Sequence, residues 1–274
     1  MFTGFMSCNL TKRFRSVNVL FVVLAVMSLS FALTSSALAG ENQTEQDDWT
    51  YFLQLNLFAP DIDIETTLDQ DITLSVSDIL DNMDIAYMGT LGASKNKWTF
   101  LVDVNLLNLD FDDSLTILDN PLVSAEITDV ELSAWSVTPI VSYNLLDTPR
   151  VSFDVLTGAR YLYIKLEADL VKSLLSSTTV DSISESGHNW NGIIGARGNI
   201  YLKGNWFMPY YFDVGTGDID LTWQAWTAIA YKFEHVALSL GYRHIEWDFD
   251  DDPAGGLIEN LSASGPMIGI KYWF

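Results

Sequence analysis

This sequence has few basic residues and almost no cysteine. It carries 14 Lys and Arg against 36 Asp and Glu, which gives a formal net charge of −22. A chain with so few cations cannot neutralise a phosphate backbone, so nucleic-acid binding is excluded. The single cysteine, Cys8, excludes a disulfide framework and a metal site built from several cysteines. Disorder is excluded as well, because 49% of the residues are apolar and 13% are aromatic.

The first 39 residues have the three parts of a secretory signal peptide. Basic residues lie at 12, 13 and 15, Val19–Met27 is an unbroken apolar run, and Ala37–Ala39 supplies the A-x-A pattern of a cleavage site. The alternative is a membrane anchor, which needs about 20 apolar residues, more than this run contains. We therefore predict that residues 1–39, including Cys8, are removed and that residues 40–274 form the mature domain.

The rest of the chain contains no apolar run long enough for a transmembrane helix, and it alternates instead. Met208, Tyr210 and Phe212 share one face of such a segment, while Asp213 lies on the other. This period of two predicts strands whose two faces meet different environments. We predict ten strands, at residues 49–59, 83–94, 98–110, 130–145, 150–165, 188–202, 206–217, 221–233, 236–248 and 262–274.

The connections between these strands alternate in length. Tight turns are predicted at residues 95–97, 147–149, 203–205 and 232–235, and long loops at 60–82, 111–129, 166–187 and 249–261, with a short link at 218–220. Ser77–Asn82 is predicted to form a short helical turn in the first loop. Alternating short and long links are typical of an up-and-down antiparallel transmembrane β-barrel, with the short turns on the periplasmic side. The prediction is all-β with ten strands; eight and twelve strands remain alternatives.

Aromatic residues recur at the ends of the predicted strands. Examples are Trp98 and Phe100 in one strand and Tyr231 and Phe233 in another. A soluble sandwich or a lipocalin-like barrel would also alternate, but its exterior would be rich in Lys and Glu. Aromatic girdles and a sparsely charged second face favour lipid outside and a narrow, filled lumen.

The end of the chain carries a family resemblance. Met267–Phe274 resembles the alternating, Phe-terminated last strand that the barrel-assembly machinery recognises in small outer-membrane β-barrel proteins of Gram-negative bacteria, which gives Tyr272 and Phe274 the role of an assembly signal. The chain also resembles a proteobacterial group mostly named simply "outer membrane protein". The segments that carry this resemblance are 77–84, 95–98, 156–161, 195–197, 222–225, 241–243 and 264–266. The resemblance implies a fold, the outer membrane as the location, and no defined activity.

Eight charged residues fall on the face that points into the predicted barrel. They are Asp84, Asp103, Asp154, Arg160, Arg197, Asp213, Arg243 and Lys271. Four acids and four bases form a neutral set, and buried charges need partners. We predict an ion-pair network that stabilises the lumen; the alternative is a polar conduit or a small-solute site. Glu131 is left out of the set because the fourth predicted strand changes phase near Ala134–Trp135, as at a β-bulge.

Two similar acidic runs mark the exits from strands into the predicted outer loops. They contain Asp110, Asp112 and Asp113 in one run and Asp248, Asp250, Asp251 and Asp252 in the other. Carboxylates bind Ca²⁺ or Mg²⁺, and such ions also bridge the anionic lipopolysaccharide of the outer leaflet. The runs do not match the EF-hand spacing. A cation-binding loop surface is therefore one hypothesis, and a solvated, self-repelling surface is the other.

The sequence gives little support for catalysis. Its only histidines are His188, His235 and His244, which are not clustered as a zinc site requires. His188 near Ser184 or Ser186 imitates a Ser/His/Asp set, but serine and aspartate are abundant in these loops. We expect no cofactor and no enzymatic activity. The expected function is that of a structural or surface barrel; the alternatives are a narrow porin-like channel for small solutes and a surface adhesin or cation-dependent binding protein.

Overall fold

The structure is a computed structural model that describes residues 48–66, 72–81, 83–111, 115–120, 123–174, 177–249 and 258–274. The predicted signal peptide lies outside these residues and stays a prediction. The strands are β1 (Thr50–Phe58), β2 (Asp61–Thr66), β3 (Ile72–Leu74), β4 (Met83–Lys95), β5 (Trp98–Phe111), β6 (Leu115–Asn120), β7 (Val123–Asp147), β8 (Val151–Leu174), β9 (Ser177–Tyr201), β10 (Trp206–Gly217), β11 (Leu221–Lys232), β12 (Val236–Asp248) and β13 (Ile258–Trp273). One short helix, α1, covers Val76–Asp81. Among the described residues, no helix is long and apolar enough to cross a membrane.

Ten of these strands close into an antiparallel barrel. Their order is β1-β4-β5-β7-β8-β9-β10-β11-β12-β13, and β13 returns to pair with β1. The closing pairs include Leu53 with Tyr272 and Leu55 with Ile270. The predicted ten-stranded up-and-down barrel is therefore confirmed. Closure leaves no unpaired strand edge in the ring.

All four predicted tight turns are present at one end of the barrel, which we call the turn end; the opposite end is the loop end. Asn96 (φ 56°) and Gly204 (φ 71°) take the left-handed conformation that a two-residue hairpin or a tight bend requires. A third turn is held by the Thr148 hydroxyl, which donates to the Val151 carbonyl at 2.9 Å. The turn end corresponds to the periplasmic side of an outer-membrane barrel.

The predicted long loops at 111–129 and 166–187 are wrong, because strands continue through them. β7, β8 and β9 have 25, 24 and 25 residues, and β8 pairs with β9 without a break from Val151–Ile200 to Leu174–Ser177. Beyond the membrane, neither face of a strand meets lipid or a packed lumen. Side-chain alternation is therefore not required there, and backbone pairing alone maintains the strand.

The first predicted loop is also structured. The predicted helical turn is confirmed as α1, and β2 extends the sheet by pairing with β13, while β3 pairs with β2. Ile62 of β2 and Ile79 of α1 are 4% and 2% exposed. Both pack into the apolar cluster at the loop end.

The predicted phase change in the fourth barrel strand is wrong. β7 keeps one register with β5 from Val130 to Tyr143, and its shifts against β8 lie at Thr128–Glu131 and Asn144–Leu146 instead. Its even-numbered residues therefore face inward through the membrane segment, with Ser136, Thr138 and Ile140 all buried. Trp135 faces outward with the odd-numbered residues. The sequence suggests a phase change here only because Ala134, on the inward face, is also apolar.

Large apolar side chains cover the outside of the barrel. Leu57, Ile194, Leu240 and Ile268 are 72%, 66%, 62% and 56% exposed. A surface of this kind is stable only against lipid, because in water it would be one contiguous apolar patch.

Aromatic pairs border this apolar belt at both ends. Trp98 contacts Tyr143 near the turn end (ring centroids 4.7 Å apart), and Trp135 contacts Tyr161 near the loop end (4.9 Å). Tyr143 and Trp135 lie on the same strand, eight residues apart. That distance is roughly 27 Å along the strand, or about 21 Å along the membrane normal after tilt, which fits a membrane apolar band.

Candidate functional site in the lumen

The lumen has three layers between the loop end and the turn end. An apolar cluster fills the loop end. Its buried members are Ile62, Ile79, Leu109, Leu132, Leu162, Ile164, Ile219, Ile245 and Trp247. A charged layer lies next to it, and a cavity follows toward the turn end. Inward-pointing residues of neighbouring strands meet in such layers because alternation repeats around the ring.

Arg160 and Asp213 form the innermost ion pair. Arg160 Nη2 lies 2.6 and 2.8 Å from the two Asp213 oxygens, and the side chains are 2% and 0% exposed. Arg160 Nη1 donates to the Thr222 hydroxyl at 3.0 Å, so β8, β10 and β11 are linked across the lumen. Gly195 leaves space for Asp213, since a Cβ there would lie 2.9 Å from the Asp213 Cβ.

Arg243 of β12 extends the charged layer to the strands on the other side of the lumen. Its guanidinium donates to Gln224 Oε1 at 2.5 Å and to Asn105 Oδ1 at 3.0 Å, and it lies 3.8 Å from Asp103. Asp103 also accepts hydrogen bonds from Asn105 and from Thr90, at 2.8 and 2.7 Å. These contacts connect β4, β5, β11 and β12.

Arg197, Asp154 and Lys271 lie closer to the turn end and are more loosely held. Arg197 Nε is 3.7 Å from Asp154, which also accepts a hydrogen bond from Asn144 at 2.7 Å. Lys271 Nζ lies over the rings of Phe52 and Trp273, at 3.9 and 5.1 Å from their centroids. Among the described residues, no carboxylate forms an ion pair with Lys271.

The structure thus brings six of the eight predicted lumen residues together as three pairs, Arg160–Asp213, Arg243–Asp103 and Arg197–Asp154. Lys271 is inside the barrel, and none of the described carboxylates forms an ion pair with it. The side chain of Asp84 lies outside the described ones. The seven described members carry four bases and three acids, and Asp84 is the fourth acid of the predicted neutral set. Their role as a stabilising network stays a prediction.

Sequence reasoning missed the neutral partners of these charges. Thr90, Asn105, Asn144, Thr222 and Gln224 all bond to a charged lumen side chain. Each one lies on the inward face by the same alternation. Alternation along each strand could therefore have predicted that these residues face the lumen. Only the strand register shows which charged side chain each one contacts.

A cavity of about 450 Å³ occupies the lumen on the turn-end side of the charged layer. Its lining includes Thr50, Phe207, Lys232, Ala237 and Trp273, all of which lie at or next to the turn-end terminus of their strand. Arg160, Gln224 and Arg243 line its inner end. The cavity therefore lies between the charged layer and the turn end.

The predicted cation-binding runs are mostly outside the described residues. Asp112, Asp113, Asp250, Asp251 and Asp252 all lie there. The backbone of Asp110 pairs with that of Glu131, and Asp248 ends β12. Within the described part of the chain, no group of three His, Cys, Asp or Glu side chains is placed to hold a metal ion. Cation binding by these runs stays a prediction.

The chain terminus closes the barrel at the turn end. Phe274 and Tyr51 exchange both backbone hydrogen bonds at 3.0 Å. The ring of Phe274 stacks on those of Tyr51 and Tyr272, with centroids 5.9 and 5.8 Å apart. The role of Tyr272 and Phe274 as an assembly signal stays a prediction.

The histidine that lies in a polar cluster is His244, whereas the sequence pointed to His188. His188 and His235 are exposed, whereas His244 contacts the Ser264 hydroxyl at 2.5 Å and Glu246 at 3.2 Å. Glu246 also accepts hydrogen bonds from Trp223 Nε1 and Asn260 Nδ2, at 3.0 and 3.1 Å. This cluster lies on the outer surface of β11, β12 and β13, just beyond the apolar belt. It links three strands at the loop end.

No protein-family model matches the sequence, and no curated protein matches it. The solved structures that align with most of the chain include the following three. The outer-membrane protease OmpT from Escherichia coli has 10% identity and a TM-score of 0.48, with 85% of this chain and 99% of that chain covered. Ail, the attachment invasion locus protein of Yersinia pestis, has 12% identity and a TM-score of 0.36, covering 84% and 100%. The translocator domain of the autotransporter NalP from Neisseria meningitidis has 12% identity and a TM-score of 0.41, covering 93% and 97%.

At these identities and scores the matches carry no argument about activity. The fold is established by the chain's own strand pairing and outer surface. A closed ring of ten antiparallel strands, with an apolar belt and aromatic borders, is the fold of an outer-membrane β-barrel protein.

Proposed function

We propose that the protein is a structural or surface barrel of the outer membrane whose lumen does not conduct. The observation that carries this proposal is the charged layer, in which Arg160, Asp213 and Arg243 are all at most 5% exposed. The layer links strands on opposite walls, and the apolar cluster lies directly beyond it. A hydrated ion would have to break both.

The cost of opening this layer supports the proposal. Separating a buried ion pair leaves an uncompensated charge, which costs about 3–5 kcal/mol. Arg160, Arg243 and Asp103 also have hydrogen bonds to neutral partners, which raise the cost further. Thermal motion alone would open such a layer rarely.

Single-channel recording in planar bilayers tests the proposal. We expect the refolded mature protein to insert without discrete conductance steps. The matched control is the same protein with Arg160, Asp213 and Arg243 all replaced by Ala. This variant lacks the charged layer, and we expect the neighbouring apolar cluster to pack less tightly and the lumen to admit small ions. Regular steps from the wild-type protein would support the porin-like alternative instead and would overturn the proposal.

A second candidate function is surface binding, and the length of β7–β9 favours it. These strands pair well beyond the apolar belt, so they present an ordered sheet outside the membrane. Deleting residues 167–184 removes the outer part of β8 and β9 and leaves the membrane segments. We expect the deleted protein to remain heat-modifiable on gels. Loss of binding to host or bacterial surfaces would support an adhesin, and unchanged binding would reject it.

Two further proposals concern partners. The apolar belt is in contact with membrane lipid, and the acidic loop end faces lipopolysaccharide, with divalent cations between the two anionic surfaces. The terminal strand carries the alternating pattern and final Phe274 that the barrel-assembly machinery recognises. Deletion of Phe274 should therefore lower the amount of assembled protein in the outer membrane.

A further inference from the structure

The cavity at the turn end contains more positive charge than its surroundings neutralise. Five cationic side chains line it, Arg160, Arg197, Lys232, Arg243 and Lys271, and Asp103 is the only carboxylate among the described residues that line it. Asp154 already accepts a hydrogen bond from Asn144 and forms an ion pair with Arg197. Arg160 is paired with Asp213, Arg243 with Asp103 and Arg197 with Asp154, so Lys232 and Lys271 leave an excess of two positive charges.

Such an excess is unusual in a partly enclosed space. Like charges repel more strongly where the dielectric constant is low, so a cluster of this kind is most stable with an anion bound. Aromatic rings attract Lys232 and Lys271, with Nζ 5.0 and 3.9 Å from the centroids of Trp273 and Phe52. Ring faces attract a cation but supply no net negative charge.

The walls of the cavity are partly apolar. Tyr211 and Trp226 stack with an interplanar angle of 4° and ring centroids 5.9 Å apart, and Phe52 and Trp273 lie on the same inward surface. A volume of about 450 Å³ is within the range of small-molecule sites. Flat aromatic walls with a few charged groups suit a ligand that has an apolar body and one acidic group.

The distribution of charge over the whole chain points to the same end. The turns carry Lys95, Lys97, Arg150 and Lys203 in addition to Lys232, against only Asp147 and Glu234. A protein with a net charge of −22 thus carries more basic than acidic residues in its turns, at the end of the barrel where the cavity lies. Positive charge at this end attracts anions toward the cavity and raises their local concentration.

We infer that this cavity binds a small anionic molecule with an apolar body, which enters from the turn end and places its acidic group between Lys271 and Arg197. The apolar body lies against Phe52, Trp226 and Trp273. The charged layer forms the inner limit of the site, so a bound molecule is held there and is not passed through the barrel.

Equilibrium dialysis with the mature protein in phosphatidylcholine nanodiscs tests this inference. The probes are 1-naphthoate, its neutral analogue 1-naphthalenemethanol and inorganic phosphate, each corrected for binding to empty nanodiscs. We expect 1-naphthoate to bind most tightly, and Lys271→Met to weaken it about tenfold or more, because a charge-assisted contact is lost. Lys271→Arg should retain binding. Lys165→Met is the matched control, because Lys165 pairs with Glu167 near the loop end.

Folding of each variant is checked by its heat-modifiable gel shift. If Lys271→Met does not fold, Lys232→Met serves in its place, because that side chain is exposed at the opening and should weaken binding several-fold. Equal binding of 1-naphthoate and its neutral analogue would overturn the inference. Equal affinity of the Lys271 and Lys165 variants, or of phosphate and 1-naphthoate, would also overturn it. The measurement does not depend on conductance, so its result is separate from that of the channel experiment.

Discussion

At the scale of single residues, the lumen is specified by which charge meets which partner. Arg160 and Asp213 are 53 positions apart, yet they form the most deeply buried pair. Asp154 and Arg197 have the same kinds of charge but lie 3.7 Å apart, and their side chains are 15% and 22% exposed. The two pairs should therefore differ in their contribution to stability, although the sequence assigns both to one network.

Removal of one partner of the inner pair should destabilise the barrel strongly. We expect Asp213→Ala to lower the free energy of unfolding by about 3–5 kcal/mol, because Arg160 remains buried without a counter-charge. Arg243→Ala should also lower it, and Arg197→Ala should lower it less. Urea unfolding in detergent micelles, with the gel shift as a second readout, measures the differences. An apolar double substitution, Arg160→Met with Asp213→Leu, should recover much of the loss, and equal stability of all single variants would contradict the network.

The His244 cluster should stabilise the loop end without acting as a catalyst. β12 and β13 are paired on both sides here, so their backbone N–H groups are engaged in sheet hydrogen bonds and do not provide an oxyanion site. Asp61 lies beside Ser264 in the register and adds negative charge. We therefore expect a fluorophosphonate probe not to label Ser264, with a known serine hydrolase as the positive control. Labelling that Ser264→Ala and His244→Ala both abolish would show that the cluster is catalytic.

At the scale of secondary-structure elements, the sequence predicts best where two different environments act on one strand. β10, β11 and β12 are found within one residue of their predicted limits, because lipid on one face and the lumen on the other enforce alternation. β7, β8 and β9 are longer than predicted, because the sequence of their outer parts does not alternate while their backbones remain paired. The tight turns were predictable because Asn96 and Gly204 are residue types that accept a positive φ.

Trypsin distinguishes a strand from a loop at the outer part of β8. Lys172 pairs with Ala125 of β7 on one side and with Thr179 of β9 on the other. A residue hydrogen-bonded in a sheet does not fit a protease active site, so we expect Lys172 to resist trypsin in intact outer membranes. Heat-denatured protein is the control and should be cut there. Rapid cleavage after Lys172 in the membrane would show that this segment is the loop that the sequence pattern predicts.

At the scale of the whole molecule, the net charge is unevenly distributed. The acidic residues concentrate at the loop end and the basic residues at the turns and in the lumen. The negative net charge that excludes nucleic-acid binding therefore belongs mainly to the surface at the loop end. The turn end can carry an excess of basic residues in spite of it.

If the acidic runs hold divalent cations, calcium should stabilise the protein. We expect millimolar calcium to raise the unfolding temperature of the refolded barrel, because bound ions reduce repulsion between neighbouring carboxylates. Replacement of Asp250, Asp251 and Asp252 by Asn should remove most of the increase. Sodium chloride at matched ionic strength is the control for screening. An unchanged unfolding temperature in calcium would leave the solvated surface as the better description of these runs.

The sequence by itself determined the barrel, its ten strands and its turn end, because alternation and turn residues are local properties of the chain. It also predicted the inward direction of the seven described lumen charges, since phase along a strand needs no knowledge of the neighbours. Only the tertiary structure decided that Arg160 meets Asp213, that Lys271 has aromatic rings for neighbours in place of a carboxylate, and that β2 and α1 fill the loop end. These contacts depend on strand register and closure, which bring together side chains that are far apart in the chain.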